Sequence, residues 1–171
     1  MQEEYFELPE FLKEMIERGE QIDEIRLDAG GNWTHNGRPF QNQRIIDFFH
    51  QSIFRTRDGQ YVLHYGDFTY PITVDDAPFI VTGVRFTGFG DFEQAYITLK
   101  SGVEEELDPD TLYFKRADNS LYCMVRGGTM PAKFMRSPSF CVLERLEESE
   151  DTFHLTICGK RIVLREKDQS E

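Results

Sequence analysis

Turn signals punctuate this chain so densely that most of its segments are long enough only for short strands. Residues 28–31 (Asp-Ala-Gly-Gly), Asn36-Gly37, Asp58-Gly59, Gly66-Asp67, 88–91 (Gly-Phe-Gly-Asp), Asp118-Asn119 and Gly159-Lys160 are turn-forming combinations between apolar runs. The runs are rich in aromatic and β-branched side chains, which suit a pleated, half-buried surface. A hairpin is therefore predicted from Ile25–Leu27 and Trp33–His35, then a meander over 52–56, 60–65 and 68–74. Further strands are predicted at 79–86, 92–99, 103–107, 112–115 and 121–125, and a last hairpin at 153–157 and 161–164.

Helical spacing interrupts this pattern three times. Leu8, Phe11, Leu12, Met15 and Ile16 form one apolar stripe, with Gly19 placed to end the helix. Asn42 is an N-cap for a helix whose Ile45, Phe48 and Phe49 share a face. Ser137-Pro138 reads as N-cap and first helical residue, with Phe140, Leu143 and Leu146 as the apolar face and the acidic tract 147–151 as the stop. Asp75-Asp76-Ala77-Pro78 breaks the strand pattern, so the chain is expected to divide into domains 1–75 and 76–171. The order hairpin, turn, capped helix, further strands occurs over 25–49 and again over 112–146, with negligible side-chain identity. The expected class is α+β: two small antiparallel β-rich halves in tandem, each with a packed helix.

The 171 residues are enough to bury a core without staples. With 39% hydrophobic residues, 15 Phe and 7 Tyr, the chain is expected to be a folded globule. A net charge of −12 opposes nucleic-acid polymers and anionic membrane surfaces as partners. From 113 to 143, however, Lys115, Arg116, Arg126, Lys133 and Arg136 face one acid, Asp118, a local balance of +4 suited to a small anion. Cys123, Cys141 and Cys158 match neither a disulfide framework nor a zinc motif and read as buried reduced thiols. The acidic start of the chain and the lack of a long apolar run give a cytoplasmic expectation.

No nucleophile elbow, metal-binding helix, Walker loop or dinucleotide fingerprint is present, so neither a catalytic set nor a metal set can be named. The candidate ligand-binding residues are Trp33, His35, Arg38, Asp76, Arg126, Gly127 and Arg136. Trp33 can stack on a flat ring or plug the first core. Arg38 can pair with phosphate or carboxylate, or with an acid of its own chain. Arg126-Gly127-Gly128 can form an anion-binding nest or simply a bend leaving a strand. Asp75 and Asp76 offer oxygen to a cation or belong to a solvated linker.

Several stretches, in order, resemble a bacterial family known only as domain of unknown function 1285. They are 25–28 through the Trp33, His35, Gly37-Arg38-Pro39 region, the aromatic hairpin 57–61, the mid-chain 74–79, and 125–128 followed by 136–140. The stretch 129–134 departs from the family pattern in being polar and Met-rich. The resemblance implies a duplicated α+β core with a pleckstrin-homology-like C-terminal half. It also implies a nucleotide-like ligand between the halves and a role in signalling. The expected function is a non-enzymatic ligand-binding or regulatory module for a small anion. The alternative is a protein–protein adaptor using a sheet edge or groove of the second half.

Overall fold

A computed structural model describes residues 4–167. The chain divides into two compact units, one ending at Pro78 and the other beginning at Phe79. The first contains α1 (Glu10–Glu17), β1 (Ile25–Leu27), β2 (Trp33–His35), β3 (Arg38–Pro39), α2 (Gln43–Gln51), β4 (Ile53–Arg55), β5 (Tyr61–Tyr65), β6 (Phe68–Pro71) and β7 (Thr73–Val74). Strand β7 returns parallel to β1, giving a four-stranded sheet of order β3-β2-β1-β7, while β4, β5 and β6 form a three-stranded meander. Local chemistry explains several of these boundaries. Asp28 closes the β1–β2 turn by accepting the N–H groups of Gly30 and Asn32 at 2.9 and 2.8 Å. Asn42 caps α2 by accepting the Arg44 N–H at 3.0 Å. Leu27, Trp33, Ile53 and Val62 are buried between these elements, whereas of the α1 stripe Leu12 is buried and Phe11 and Ile16 are exposed.

The second unit contains β8 (Phe79–Thr87), β9 (Gln94–Leu99), β10 (Glu104–Glu106), β11 (Tyr113–Lys115), β12 (Ser120–Val125), β13 (Met130–Phe134), α3 (Arg136–Leu143), β14 (Leu146–Ser149), β15 (Thr152–Ile157), β16 (Lys160–Val163) and β17 (Arg165–Glu166). Seven strands form one sheet of order β10-β9-β8-β13-β12-β11-β17, and β14, β15 and β16 form a second. Pairing is mostly antiparallel, with β13 on β8, β11 on β17 and β1 on β7 as parallel exceptions. The class is α+β.

Both units share one connectivity: three strands, a helix, a three-stranded meander, and a short strand that returns parallel to the first. Matching backbone hydrogen bonds set the correspondence residue by residue. Asp75 donates its N–H to the Leu27 carbonyl at 3.0 Å, as Lys167 does to Phe114 at 2.9 Å. Ile72 donates to Tyr61 at 3.1 Å, as Leu164 does to Phe153 at 2.9 Å. Phe114 therefore stands where Leu27 stands. Leu27 pairs with Trp33 and Phe114 with Leu121, so Leu121 corresponds to Trp33. Counting back from the first residues of β4 and β14, Leu143 corresponds to His50.

Three sequence expectations are corrected here. Helix α3 begins at Arg136 with Met135 in the cap position, so Ser137 is not its cap. The Met135 N–H still bonds to the Val81 carbonyl at 2.9 Å, and this continued pairing with β8 decides where the strand ends and the helix begins. Leu146 and the acids after it extend no helix and mark no stop. They pair with 152–155 as β14, and Glu150 and Asp151 turn the chain with φ of 51° and 62°. Cys141 is exposed rather than buried.

Candidate functional site

Within the second unit, the end of α3 and strands of both sheets surround an apolar pocket of about 150 Å³. Phe114 on β11 and Leu121 on β12 are directly opposite in register and so share a face. Leu143 closes α3, Leu146 opens β14, Phe153 lies on β15 and Leu164 precedes β17; all four line the same space. Leu121 and Leu164 are buried at its base, and Leu146 and Phe153 are partly exposed at its mouth. Asn119, in the β11–β12 turn, is the polar lining residue. A Leu- and Phe-lined space of this volume is large enough for a ring the size of benzene.

A guanidinium stands in the same turn as Asn119. Arg116 lies two residues beyond Phe114, and its Nε meets Glu166 Oε1 at 3.0 Å. Glu166 is the residue that β17 places beside Phe114. The Arg116 side chain is 80% exposed, with Glu166 as its partner in the chain.

The corresponding place in the first unit is filled. Trp33 is 2% exposed, and its indole N–H donates to His50 Nδ1 at 3.3 Å. Its ring also meets Phe49 edge-on, with centroids 5.2 Å apart. The smaller, apolar Leu121 and Leu143 replace this Trp–His pair in the second unit, where the pocket opens.

The residues named from sequence lie as follows. In the first unit, Trp33 is a core side chain. His35 and Arg38 are directly opposite each other on β2 and the edge strand β3, and both are exposed. His35 Nε2 is 3.4 Å from Asp23. Of the two linker acids, Asp75 holds Arg26 at 2.7 Å, and Asp76 is half-buried beyond β7. In the second unit, Arg126, Gly127 and Gly128 take left-handed φ of 52°, 67° and 84° in the turn between β12 and β13. The Arg126 N–H donates to Glu105 at 3.0 Å, so a carboxylate of the chain itself already sits on this turn. The Arg126 guanidinium lies over the Phe79 ring at 4.6 Å, and that of Arg136 over Phe140 at 5.4 Å. The two arginines flank β13, each lying over an aromatic ring of its own.

Much of the basic segment is engaged within the chain. Lys133 pairs with Asp118 at 3.0 Å, Arg116 with Glu166, and Lys115 lies over Tyr122 at 4.6 Å. Elsewhere in this unit, Arg145 grips Glu93 through two hydrogen bonds of 2.6 and 3.1 Å, and the Cys158 N–H adds a third at 2.9 Å. The Arg145 hydrogen bonds hold the Glu93 carboxyl below its usual range. Burial pushes the Cys123 and Cys158 thiols up, away from the reactive thiolate. Among the described residues no cluster of three metal-ligating side chains is formed, and no helix is long and apolar enough to cross a membrane.

Sequence reasoning missed the pocket residues because each is an ordinary core type. The one signal in the sequence was the repeated order of elements; that Leu121 is the counterpart of Trp33 follows only from the backbone pairing.

No protein-family model matches this chain, and no curated protein matches it. Two solved structures share its fold. One is a DUF1285 family protein from Silicibacter pomeroyi DSS-3, with TM-score 0.69 and 21% identity, covering 82% of this chain and 79% of that one. The other is a DUF1285 family protein from Shewanella baltica OS155, with TM-score 0.56 and 18% identity, covering 72% of this chain and 92% of that one. The resemblance to DUF1285 family proteins, read first from short motifs, thus extends to the three-dimensional fold.

Proposed function

We propose that this protein is a non-enzymatic ligand-binding module that acts in the cytoplasm as a regulatory element in signalling, and that its ligand is a small organic anion. The observation that carries this reading is the apolar pocket of the second unit, with the exposed Arg116 in the turn that also supplies the lining residue Asn119. Ligand sites characteristically combine an apolar cavity with a few placed polar groups. A guanidinium at the mouth of such a cavity fixes the anionic end of a ligand whose apolar part is inside. Three free cysteines are in keeping with a reducing compartment.

The test is thermal melting of the purified chain against a panel of nucleoside monophosphates, cyclic dinucleotides, and aromatic and aliphatic carboxylates and phosphates. A ligand at a hundred times its Kd stabilises by about 2.7 kcal/mol. For a chain of this size that is a rise of roughly 5–10 °C. Arg116→Ala is expected to weaken the response, while Arg38→Ala and Arg126→Ala leave it unchanged. If the loss follows Arg38 or Arg126 instead, the anion binds at the residues named from sequence. A panel without a single stabilising compound rejects the reading.

A further inference from the structure

We propose that the buried part of the ligand is a flat, uncharged aromatic ring, taking in the second unit the place that the Trp33 indole takes in the first. This inference rests on the pocket being a ligand site and goes on to name the ligand class. The matched backbone hydrogen bonds put Leu121 at the position of Trp33 and Leu143 at the position of His50. At the first position a bicyclic ring fills the space between the strand pair, the helix end and the meander. At the second the side chain is an aliphatic one of smaller volume, and about 150 Å³ is left open.

The lining defines the ring further. Phe114 replaces Leu27 and Phe153 corresponds to Tyr61, so two phenyl groups border the space and offer edge or face contacts to a third. Among the described residues no charged side chain lines the pocket, which disfavours a charged ring. The acceptor that Trp33 uses in the first unit, His50 Nδ1, has Leu143 as its counterpart, so a ring N–H at that position would meet an aliphatic side chain. A benzenoid ring therefore fits better than an indole. The anionic group belongs outside, toward Arg116. The ligand class is an aryl-substituted carboxylate or phosphate with one ring.

Phenylacetate and hexanoate carry the same charge on apolar groups of similar size and separate a ring from a chain. Calorimetric titration of the full-length protein is expected to give phenylacetate at least about tenfold tighter binding than hexanoate. Methyl NMR is expected to show ring-current shifts at Leu121, Leu143, Leu146 and Leu164 with phenylacetate. Leu121→Trp, which supplies the ring from the chain itself, is expected to fold and to lose phenylacetate binding. Should that variant not fold, Leu146→Trp at the partly exposed mouth serves the same purpose.

Hexanoate binding equal to or tighter than phenylacetate overturns the ring assignment and leaves the ligand-site reading standing. So does a panel in which other anions stabilise the protein and phenylacetate does not. Phenylacetate shifts confined to methyls outside the pocket also overturn it. Silence from the whole panel removes both readings.

Discussion

Glu93 shows how one residue can tie together segments that are far apart in sequence. Its carboxylate meets the Arg145 guanidinium and the Cys158 N–H, joining the β8–β9 loop to the end of α3 and to the β15–β16 turn. Arg145 also lies over the Phe86 ring at 3.9 Å, which fixes the guanidinium from a second side. Hydrogen bonds to a carboxylate of this kind contribute about 1.5–3 kcal/mol. Because its pKa is lowered in the folded state, Glu93 contributes stability that is full above the ordinary carboxylate range and is lost as pH falls through the folded value. Urea unfolding should therefore show Glu93→Gln to be less stable than wild type at pH 7, with the gap closing below about pH 4. A gap that stayed constant down to pH 3 would mean that ionisation of Glu93 is not what stabilises the fold. None of these partners was legible from sequence. They lie 52 and 65 residues away from Glu93, and only folding brings them together.

At the level of elements, the two helices that follow strands differ in how far sequence prescribes their start. Asn42 is an N-cap by local chemistry alone, since its side chain reaches the Arg44 N–H two residues on. Ser137 has the same credentials in sequence, with a proline behind it, yet the helix starts one residue before it. The difference lies in what precedes each helix. The edge strand β3 pairs with β2 alone, whereas β13 is a central strand whose parallel register with β8 carries through to Met135. Asn42→Ala is accordingly expected to cost about 1 kcal/mol, and Ser137→Ala less than about 0.5 kcal/mol, by chemical denaturation. Equal costs would restore Ser137 as a cap. The acidic tract behaves in the same way. Glu147 and Glu148 have little intrinsic strand preference, but pairing with His154 and Phe153 makes them a strand.

At the scale of the whole molecule, the repeated connectivity makes each unit a control for the other. Trp33→Leu imposes on the first unit the residue that the second carries at Leu121, and is expected to cost about 2–4 kcal/mol. Indole added to this variant should raise its melting temperature by more than it raises that of wild type, because a ligand that fills the vacated space stabilises by mass action. No rescue at millimolar indole would mean that the first core collapses around the smaller side chain.

Sequence by itself determined the class and most strand positions, because turn chemistry and apolar periodicity act over a few residues. It also determined the order of elements that forms the repeat, visible as an echo between 25–49 and 112–146. Tertiary structure alone decided which residues correspond across that repeat, since the match lies in backbone hydrogen bonds such as Ile72 to Tyr61 and Leu164 to Phe153. It likewise decided that Trp33 is buried on His50 while Leu121 borders an open space. A cavity is a property of the volume left between packed elements, and no single stretch of the chain encodes that volume.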